Sequence, residues 1–327
     1  MSEKRTDKMD EVFFVGIDTS NYTTSAALAD ESGRILLNLK RPLPVCEGQR
    51  GLRQSDAVFS HVRNLPLIMD ELSSHISAKR IAAVGVSAFP RDAEGSYMPC
   101  FLSGVAAAHS FAAALGGVPV YALSHQMGHI MAALYSAEAE RLTGERFLAF
   151  HVSGGTTEAL LVSPSPDSMF SVSLVGGTND LNAGQAIDRI GVMMGLKFPC
   201  GAEMERLAHE NTKEFVHFST SVRGLSCNLS GLENMAAKLY SESGDRALVS
   251  AAVFDFVGRT LRKLTEALRN EYGDLPIVYG GGVMSNSLIQ HMLKAKKDTY
   301  FALPEFSSDN ASGIALLCRR KYLSAEK

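Results

Sequence analysis

The stretch that decides the fold is VFFVGIDTSNYTTSAALA, residues 12–29. Its two runs of apolar and small residues, VFFVGID and TTSAALA, are typical of β-strands, and the polar residues between them predict a tight turn. A third strand pattern, GRILLNL, follows closely enough to complete an antiparallel meander. We therefore expect the first lobe of the protein to open with three neighbouring strands.

The segments that follow alternate between helix and strand. They are a helical pattern around residues 55–75, the strand pattern IAAVGVS (81–87), a small-residue helix over about 103–115 and the strand pattern VPVYAL (118–123). This β-α-β alternation predicts parallel strands packed against helices.

The same order of elements begins again at Arg146. RFLAFHVS, TEALLVS and MFSVSLV predict three more meandering strands, and helical sequence dominates from 182 to 272. After these come the strand patterns LPIVYGG (275–281) and TYFALP (299–304), with a helix between them, and a final helix from Asn310. The repeated order predicts a duplicated α/β protein of two lobes with a cleft between them. We place a flexible tail at 1–11, the first lobe at 12–145 and the second at 146–327, and the last helix is able to pack back on the first lobe.

Composition narrows the class of protein. A chain of 327 residues with 46% apolar residues can bury a large core. No apolar run approaches the roughly 20 residues that cross a bilayer, and the charged N-terminus lacks a signal region, so we expect a cytoplasmic protein without a membrane partner. Five cysteines without a CxxC pair disfavour a disulfide framework or a zinc knuckle. A net charge of −3 gives no general attraction for nucleic acid, which would need a local basic patch or a partner protein.

A pair of histidines is the strongest candidate for metal chemistry. His125 and His129, in SHQMGHI (124–130), are four residues apart and share one face of a helix, where two imidazoles can bind one ion. A carboxylate is the usual third ligand, and Asp309 is the candidate, although its default role at a helix start is that of an N-cap. A metalloprotease is disfavoured because the pair lacks the glutamate of His-Glu-x-x-His.

Two polar turns are candidates for phosphate binding. Thr19, Ser20 and Asn21 follow the first strand, and SGGTTE (153–158) repeats the arrangement in the second lobe. Each alone reads as a polar β-turn. As a pair at equivalent positions, they are what a protein needs to hold a polyphosphate from both sides.

Further candidates for nucleotide contacts lie in the second lobe. GGGVMSN (280–286) follows an apolar strand, and its glycines let a flat ligand such as adenine approach the backbone. Asp188 is either a ribose-hydroxyl acceptor or a helix-surface carboxylate, and Gly201 lies in what is otherwise a loop between helices. Neither GxGxxG nor GxxxxGK[ST] is present in the sequence, which argues against a Rossmann dinucleotide site and a P-loop.

Taken together and in order, these segments resemble the TsaD family, the tRNA threonylcarbamoyl-adenosine synthases once labelled O-sialoglycoprotein endopeptidases. The resemblance runs from about Val12 to Leu317. The matching segments are Gly16–Ser20, His125 with His129, Val152–Thr157, Ala183–Asp188, Gly281–Asn286 and Ser308–Ala311.

The resemblance implies the actin-like ATPase fold of sugar kinases and heat-shock chaperones, with two lobes around a central nucleotide cleft. It implies one divalent metal, iron or zinc, on His125, His129 and Asp309. It implies contacts to an ATP- or AMP-type nucleotide or to threonylcarbamoyl-AMP from Val152, Ser153, Gly154, Gly155, Thr156, Asp188, Gly201, Glu205, Gly281, Gly282 and Asn286.

The activity implied by the resemblance is transfer of the threonylcarbamoyl group to N6 of the tRNA adenosine next to the anticodon. TsaB-like and TsaE-like proteins and tRNA are the implied partners, and a homodimer or a heterodimer is compatible with the sequence.

Several positions depart from the family's pattern around the reacting centre. Thr156 stands where the family has a histidine, Gln185 replaces a glutamate, and Glu233 replaces a lysine. Tyr22 and Thr23 replace two acids. The chain therefore resembles a divergent paralogue, and two alternatives stay open: a nucleotide- and metal-binding protein with a regulatory or scaffolding role, or carbamoyl transfer to another acceptor.

Overall fold

The computed structural model describes residues 11–20, 22–44, 52–76, 80–166, 169–214, 216–294 and 298–325. Residues 1–10 of the expected N-terminal tail and Asn21 of the first polar turn lie outside the described residues. The chain forms two compact units, Met1–Tyr135 with Asp309–Lys327, and Ser136–Ser308. The last helix therefore belongs to the first unit.

The first unit contains one five-stranded sheet. Its elements are β1 (Val12–Asp18), β2 (Thr23–Asp30), β3 (Ile35–Pro42), α1 (Gln54–Ile76), β4 (Arg80–Phe89), α2 (Phe101–Ala114), β5 (Val120–Ser124), α3 (His125–Ser136) and the last helix, α10 (Ser312–Ala325). The strand order is β3-β2-β1-β4-β5. Strands β1 to β3 form the antiparallel meander, and β4 and β5 run parallel to β1.

Strand β1 is covered on both faces, which explains its nearly continuous apolar sequence. Phe13, Val15 and Ile17 are buried in the cluster that α1 and α2 help to form. On the other face, Phe14 contacts Tyr322 of α10. A Cβ on Gly16 would lie 2.5 Å from the backbone of α10, so glycine is what allows this helix to approach the strand so closely.

The second unit repeats the topology of the first. Its elements are β6 (Phe147–Val152), β7 (Thr157–Ser165), β8 (Met169–Thr178), α4 (Ala183–Met193), α5 (Gly201–His209), β9 (Ser221–Arg223), β10 (Ser226–Asn228), α6 (Gly231–Ser243), α7 (Arg246–Tyr272), β11 (Ile277–Gly280), α8 (Ser287–Leu293), β12 (Thr299–Phe301) and α9 (Pro304–Ser307). The sheet order is β12-β11-β6-β7-β8-β10-β9. Five of its strands, in the order β8-β7-β6-β11-β12, match the order of the first sheet and confirm the duplicated α/β fold.

The structure adds one hairpin to the sequence-based expectations and corrects two of them. Within the region 182–272, where helices dominate as expected, β9 and β10 form a hairpin around Gly224, where φ is 55°, and β10 extends the sheet beside β8. These three-residue strands are too short to show a periodic pattern. The expected strand 299–304 ends at Phe301 because Pro304 begins α9. The final helix begins at Ser312, not Asn310, and Asn310 accepts a hydrogen bond from the Ser312 N–H.

The core of the second unit is built around α7, whose apolar residues pack against the sheet and against α5, α6 and α8. Over the described ranges, none of the helices is both long enough and apolar enough to cross a membrane.

Candidate functional site

The histidine pair begins at the end of a parallel strand. His125 is the first residue of α3 and directly follows β5. Because β1, β4 and β5 are parallel, their carboxyl ends lie at one edge of the sheet, and Asp18 is the last residue of β1. Accordingly, Nδ1 of His125 lies 2.8 Å from Oδ2 of Asp18.

Asp18 is itself held in place. Its side chain is 1% exposed, and Oδ1 accepts a hydrogen bond of 2.7 Å from the Ser20 N–H. Since an ionised carboxylate only accepts hydrogen bonds, Nδ1 of His125 is assigned as the donor. This assignment leaves Nε2 of His125 as the nitrogen that can bind a metal, the arrangement in which an outer carboxylate orients a ligating imidazole.

A close helix crossing brings Asp309 to the histidines. Gly128 lies between them on α3, and a Cβ there would lie 2.8 Å from Ile314 of α10. A Cβ on Gly313 would collide with the carbonyl oxygen of Gly128. The two glycines therefore let α3 and α10 approach backbone to backbone, and Asp309 precedes α10 by three residues.

The three sequence-predicted ligands are brought together. Oδ1 of Asp309 lies 3.3 Å from Nε2 of His129 and 3.7 Å from Nε2 of His125. One ligand atom from each residue lies within 4.8 Å of the others. The side chains are only 11–22% exposed, so a bound ion would be largely shielded from water. Two imidazoles and one carboxylate suit first-row divalent metals such as iron or zinc.

The protonation pattern of the histidines reflects this setting. Burial lowers the pKa of His125, but the carboxylates of Asp18 and Asp309 outweigh it and raise this pKa to about 9. Burial and the neighbouring His125 lower the pKa of His129 despite the opposing effect of Asp309. The carboxylates of Asp18 and Asp309 thus stabilise a positive charge on the imidazole rings. A divalent ion that replaced the imidazole proton would supply that positive charge.

The first polar turn places its two described hydroxyls, those of Thr19 and Ser20, in different surroundings. The Thr19 hydroxyl donates to the carbonyl oxygen of Cys100 and accepts from the Gly104 N–H, both at 3.0 Å, so it is committed to α2. The Ser20 hydroxyl is buried and has no hydrogen-bond partner within the described part of the chain. Of the predicted phosphate-binding hydroxyls, the one on Ser20 therefore stays available.

The second polar turn is open. Gly154 and Gly155 are exposed, and a Cβ on either would meet no atom within 4 Å. The turn is closed by the Ser153 N–H, which donates to the Thr156 carbonyl oxygen at 2.7 Å. Gly184, in the first turn of α4, packs against the backbone of Gly154. A Cβ on Gly184 would lie only 2.7 Å from the backbone nitrogen of Gly154. The positive end of the α4 dipole thus lies beside the turn, which favours an anionic ligand there.

Asp188 and Gly201 lie near one another in the second unit. Oδ1 of Asp188 accepts a hydrogen bond of 2.7 Å from the N–H of Cys200, the residue before Gly201. Burial raises the pKa of Asp188, and this hydrogen bond only partly offsets the rise. Burial and Asp188 raise the pKa of the Cys200 thiol to about 11, so it is an inert side chain. Within the described residues, Oδ2 of Asp188 has no hydrogen-bond partner.

The remaining predicted contacts form two local pairs. Gly281 has φ of 96°, and its Cα faces the backbone of Val152, so only glycine fits this position. Asn286 is 6% exposed and caps α8 through a hydrogen bond from the Ile289 N–H. Oε1 of Glu205 accepts hydrogen bonds from both the N–H and the hydroxyl of Ser287. Gly282 lies in the 3-10 turn before Asn286, and a Cβ on it would meet no atom within 4 Å.

Sequence reasoning missed two relationships. It gave Asp18 no role, although a carboxylate that ends a strand parallel to β5 was a signal that it lies near His125. It also noted Glu233 as a charge reversal, and the structure places its carboxylate 3.4 Å from Nη1 of Arg189. The positive charge of Arg189 therefore compensates the negative charge of Glu233.

The sequence profile of the tRNA N6-adenosine threonylcarbamoyltransferase family, TsaD, matches residues 47–316. The chain belongs to the TsaD family. Relatives named tRNA N6-adenosine threonylcarbamoyltransferase from Streptococcus suis strains 05ZYH33 and 98HAH33 are each 30% identical over 329 aligned residues, covering 96% of this chain and 94% of theirs. The resemblance expected from the motifs is confirmed.

Solved structures independently confirm the actin-like ATPase fold expected for a TsaD protein. HypF of T. kodakarensis is similar with a TM-score of 0.58 at 14% identity, over 96% of this chain and 48% of that one. A ROK family glucokinase from Streptomyces griseus, in complex with glucose and AMPPNP, gives 0.54 at 14% identity, over 94% and 99%.

Proposed function

We propose that this protein transfers a threonylcarbamoyl group from threonylcarbamoyl-AMP to N6 of the tRNA adenosine next to the anticodon, in a metal-dependent reaction. The observation that carries the proposal is the convergence of His125, His129 and Asp309, with ligand atoms within 4.8 Å of one another. Family membership supports the reaction class, because the matched relatives are named for this transfer.

The triad would hold one divalent ion, and the donor set fits iron or zinc. When bound, such an ion supplies a Lewis acid that polarises an acyl or phosphoryl oxygen. Asp18 keeps Nδ1 of His125 occupied and so keeps Nε2 on the side of Asp309. The buried Ser20 hydroxyl beside Asp18 is a hydrogen-bond donor for a substrate oxygen.

The second unit offers groups that suit the AMP part of the substrate. The exposed turn from Ser153 to Thr156, next to the first turn of α4, suits a phosphate. Asp188 and Glu205 each present a carboxylate oxygen for ribose hydroxyls. The glucokinase of the same fold was crystallised with AMPPNP, which is consistent with a nucleotide here.

The proposed reaction balances without an oxidant or a reductant. The N6 amine attacks the carbamoyl carbon, a C–N bond forms, and the C–O bond to the AMP phosphate breaks. AMP leaves with the bonding electrons, and the amine loses one proton. Because the net charge of −3 provides no general attraction for RNA, we expect tRNA to bind with TsaB-like and TsaE-like partners.

The test is a reconstituted transfer reaction. Purified protein with iron or zinc, TsaB-like and TsaE-like partners, threonylcarbamoyl-AMP and unmodified tRNA are incubated, and the modified nucleoside is quantified by mass spectrometry. We expect product from the wild type and a loss on the order of 100-fold or more in His129→Ala. His75→Ala, which changes an exposed histidine of α1, is the matched control and should leave the yield unchanged.

Absence of product with every partner set would refute the transfer. Retained nucleotide and metal binding in that case would instead support the regulatory or scaffolding role, and product on a different acceptor would support another carbamoyl transfer.

A further inference from the structure

His61 of α1 is a buried histidine with one unpaired ring nitrogen. The side chain is 0% exposed, and its Nδ1 lies 2.9 Å from the hydroxyl of Thr24, the second residue of β2. Within the described residues, Nε2 of His61 has no hydrogen-bond partner. A buried polar atom in this state destabilises the folded protein unless a ligand or an ordered water satisfies it.

The proton of His61 can be placed from the hydrogen bonds that lead to the ring. Nδ2 of Asn64 lies 3.3 Å from the Thr24 hydroxyl and 3.5 Å from the Arg41 carbonyl oxygen. Since a carbonyl oxygen only accepts, the Asn64 amide nitrogen faces both atoms and donates to Thr24. Apart from Asn64 and His61, the described residues give the Thr24 hydroxyl no hydrogen-bond partner, so it donates to Nδ1 of His61. A neutral His61 therefore carries its proton on Nε2.

The His61 ring lies near the metal triad. The β1–β2 register pairs Asp18 with Ser25, the residue after Thr24, so Thr24 meets His61 at the edge of the sheet where β1 ends. The carboxylates of Asp18 and Asp309 both act on the charge of the His61 ring, which requires them to be close to it. Because Asp309 is a proposed metal ligand and Asp18 orients another, Nε2–H is a donor in the surroundings of the metal.

The ring is uncharged at neutral pH, and its donor is not used by either carboxylate. Burial lowers the pKa of His61 to about 4, although Asp18 and Asp309 oppose this effect. The two oxygens of Asp18 already accept from the Ser20 N–H and from His125, and neither carboxylate binds Nε2 of His61. The Nε2–H group is therefore left for a ligand that accepts hydrogen bonds.

We propose that His61 is a binding residue for an oxyanion at the metal site, with a carboxylate or phosphate oxygen accepting a hydrogen bond from Nε2. The carboxylates of Asp18 and Asp309 repel a free anion, whereas a divalent ion on the triad offsets their charge. The oxyanion should therefore bind only to the metal-loaded protein. The proposal rests on the metal site of the proposed function and adds a residue of α1 that the resemblance does not assign.

The test titrates acetate and, separately, inorganic phosphate into zinc-loaded protein that carries nitrogen-15-labelled histidine, and follows the ring signals by NMR. Before the addition, His61 should show the Nε2–H tautomer. At least one anion should move the Nε2 proton downfield, since a charge-assisted hydrogen bond forms. Metal-free protein should show no such shift. A response to acetate alone identifies a carboxylate site, and a response to phosphate alone identifies a phosphate site.

Three variants separate binding of the anion from folding. His61→Phe removes the donor and fills the space, so the anion should bind about tenfold or more weakly while zinc content stays at the wild-type level. Thr24→Val removes the hydroxyl that fixes the tautomer, so both tautomers should appear and affinity should fall about two- to threefold. His61→Gln keeps an N–H donor and should retain part of the affinity. The matched control is His75→Phe, which changes an exposed histidine of the same helix and should bind the anion like the wild type.

An unchanged affinity in His61→Phe, an equal loss in His75→Phe, or a wild type that binds neither anion overturns the proposal. A proton on Nδ1 of His61 does so too, as does an Nε2 proton that neither anion shifts, because an ordered water then satisfies the donor. If His61→Phe does not fold, unchanged affinity and a single tautomer in Thr24→Val overturn it. The transfer reaction is a separate readout: anion binding through His61 without transfer refutes the proposed function alone, and transfer without such binding refutes this proposal alone.

Discussion

Nδ1 of His125 lies 2.8 Å from Oδ2 of Asp18, a carboxylate that is 1% exposed and also fixed by the Ser20 N–H. The end of one strand thus orients the first ligand of the metal triad. Carboxylates in this outer position commonly change metal affinity by about 10- to 100-fold.

Asp18→Asn should therefore weaken metal binding by about 10- to 100-fold while it keeps the size of the side chain. The measurement is a competition titration of zinc against a chromophoric chelator. Asp188→Asn, a half-buried carboxylate of the second unit, is the control and should bind zinc like the wild type. Equal zinc affinity in Asp18→Asn and wild type would show that Asp18 does not orient the site.

The α3–α10 crossing predicts a second effect on metal binding. In Gly313→Ala the new methyl group meets the carbonyl oxygen of Gly128, so the helices must separate and Asp309 moves away from His125 and His129. We expect a loss of about 1–3 kcal/mol in the free energy of unfolding. We also expect at least about tenfold weaker zinc binding, because ligand geometry is displaced.

Gly144→Ala serves as the control for this change, because a Cβ there meets no atom within 4 Å. Denaturant unfolding and zinc titration are measured on both variants. Zinc affinity in Gly313→Ala equal to that in Gly144→Ala would contradict the claim that this crossing positions the triad.

The order of the main helices and strands along the chain and the candidate metal ligands were the parts that sequence could predict. The apolar segments predicted the antiparallel meander in each lobe and the parallel strands of the first, since residue patterning depends on local burial. His125 and His129 were recognisable because their spacing is local. Asp309 could be named only as a candidate third ligand, because 180 residues of chain separate it from His129 and no local pattern reports their distance in space.

Other features depended on tertiary contacts that sequence does not show. The Thr19 hydroxyl forms hydrogen bonds at the start of α2, with residues that lie more than 80 positions away in sequence. The hairpin β9–β10 is stabilised by pairing with β8 rather than by its own pattern. The balance between Arg189 and Glu233 requires α4 and α6 to be neighbours.

The buried His61 should make the free energy of unfolding depend on pH. It is fully buried on α1, and its Nδ1 lies 2.9 Å from the Thr24 hydroxyl. Burial lowers the pKa of His61 to about 4, against the opposing effect of the Asp18 and Asp309 carboxylates. The unfolded chain, with an ordinary pKa near 6.5, therefore binds a proton that the folded protein does not.

This group contributes stability that is fully present above pH 6.5 and is lost as the pH falls from 6.5 towards 4. The loss amounts to about 2 kcal/mol between pH 7 and pH 5. The measurement is urea unfolding at both pH values for the wild type and His61→Gln, which should lack this part of the pH dependence. His75→Gln, an exposed histidine on the same helix, should keep it, and an unchanged slope in His61→Gln would contradict the assignment.

The carboxylate of Asp180 should stabilise the second unit through several hydrogen bonds. Its carboxylate accepts hydrogen bonds from the N–H groups of Leu181, Leu229 and Ser230 and from the Ser230 hydroxyl. Desolvation opposes ionisation, but the hydrogen bonds from Leu229, Ser230 and Leu181 outweigh it and hold the pKa of Asp180 well below its usual range. Its stabilising effect is therefore present at neutral pH and is lost as the pH falls below about 4.

Asp180→Asn should lower the free energy of unfolding at pH 7 by about 1–2 kcal/mol, a modest figure because the group is exposed to solvent. The difference from the wild type should shrink as the pH approaches 3. Denaturant unfolding measures both effects, with exposed Asp92→Asn as the control. Equal stability of Asp180→Asn and Asp92→Asn at pH 7 would contradict this role.

The central claim is that His125, His129 and Asp309 form a metal site, and the most direct test is metal analysis of purified wild type and His129→Ala. After incubation with iron or zinc and removal of excess ion, the wild type should retain about one equivalent per chain. His129→Ala should lose this metal while it keeps the circular dichroism spectrum of the wild type. Unchanged metal content in His129→Ala, or no retained metal in the wild type, would contradict the account.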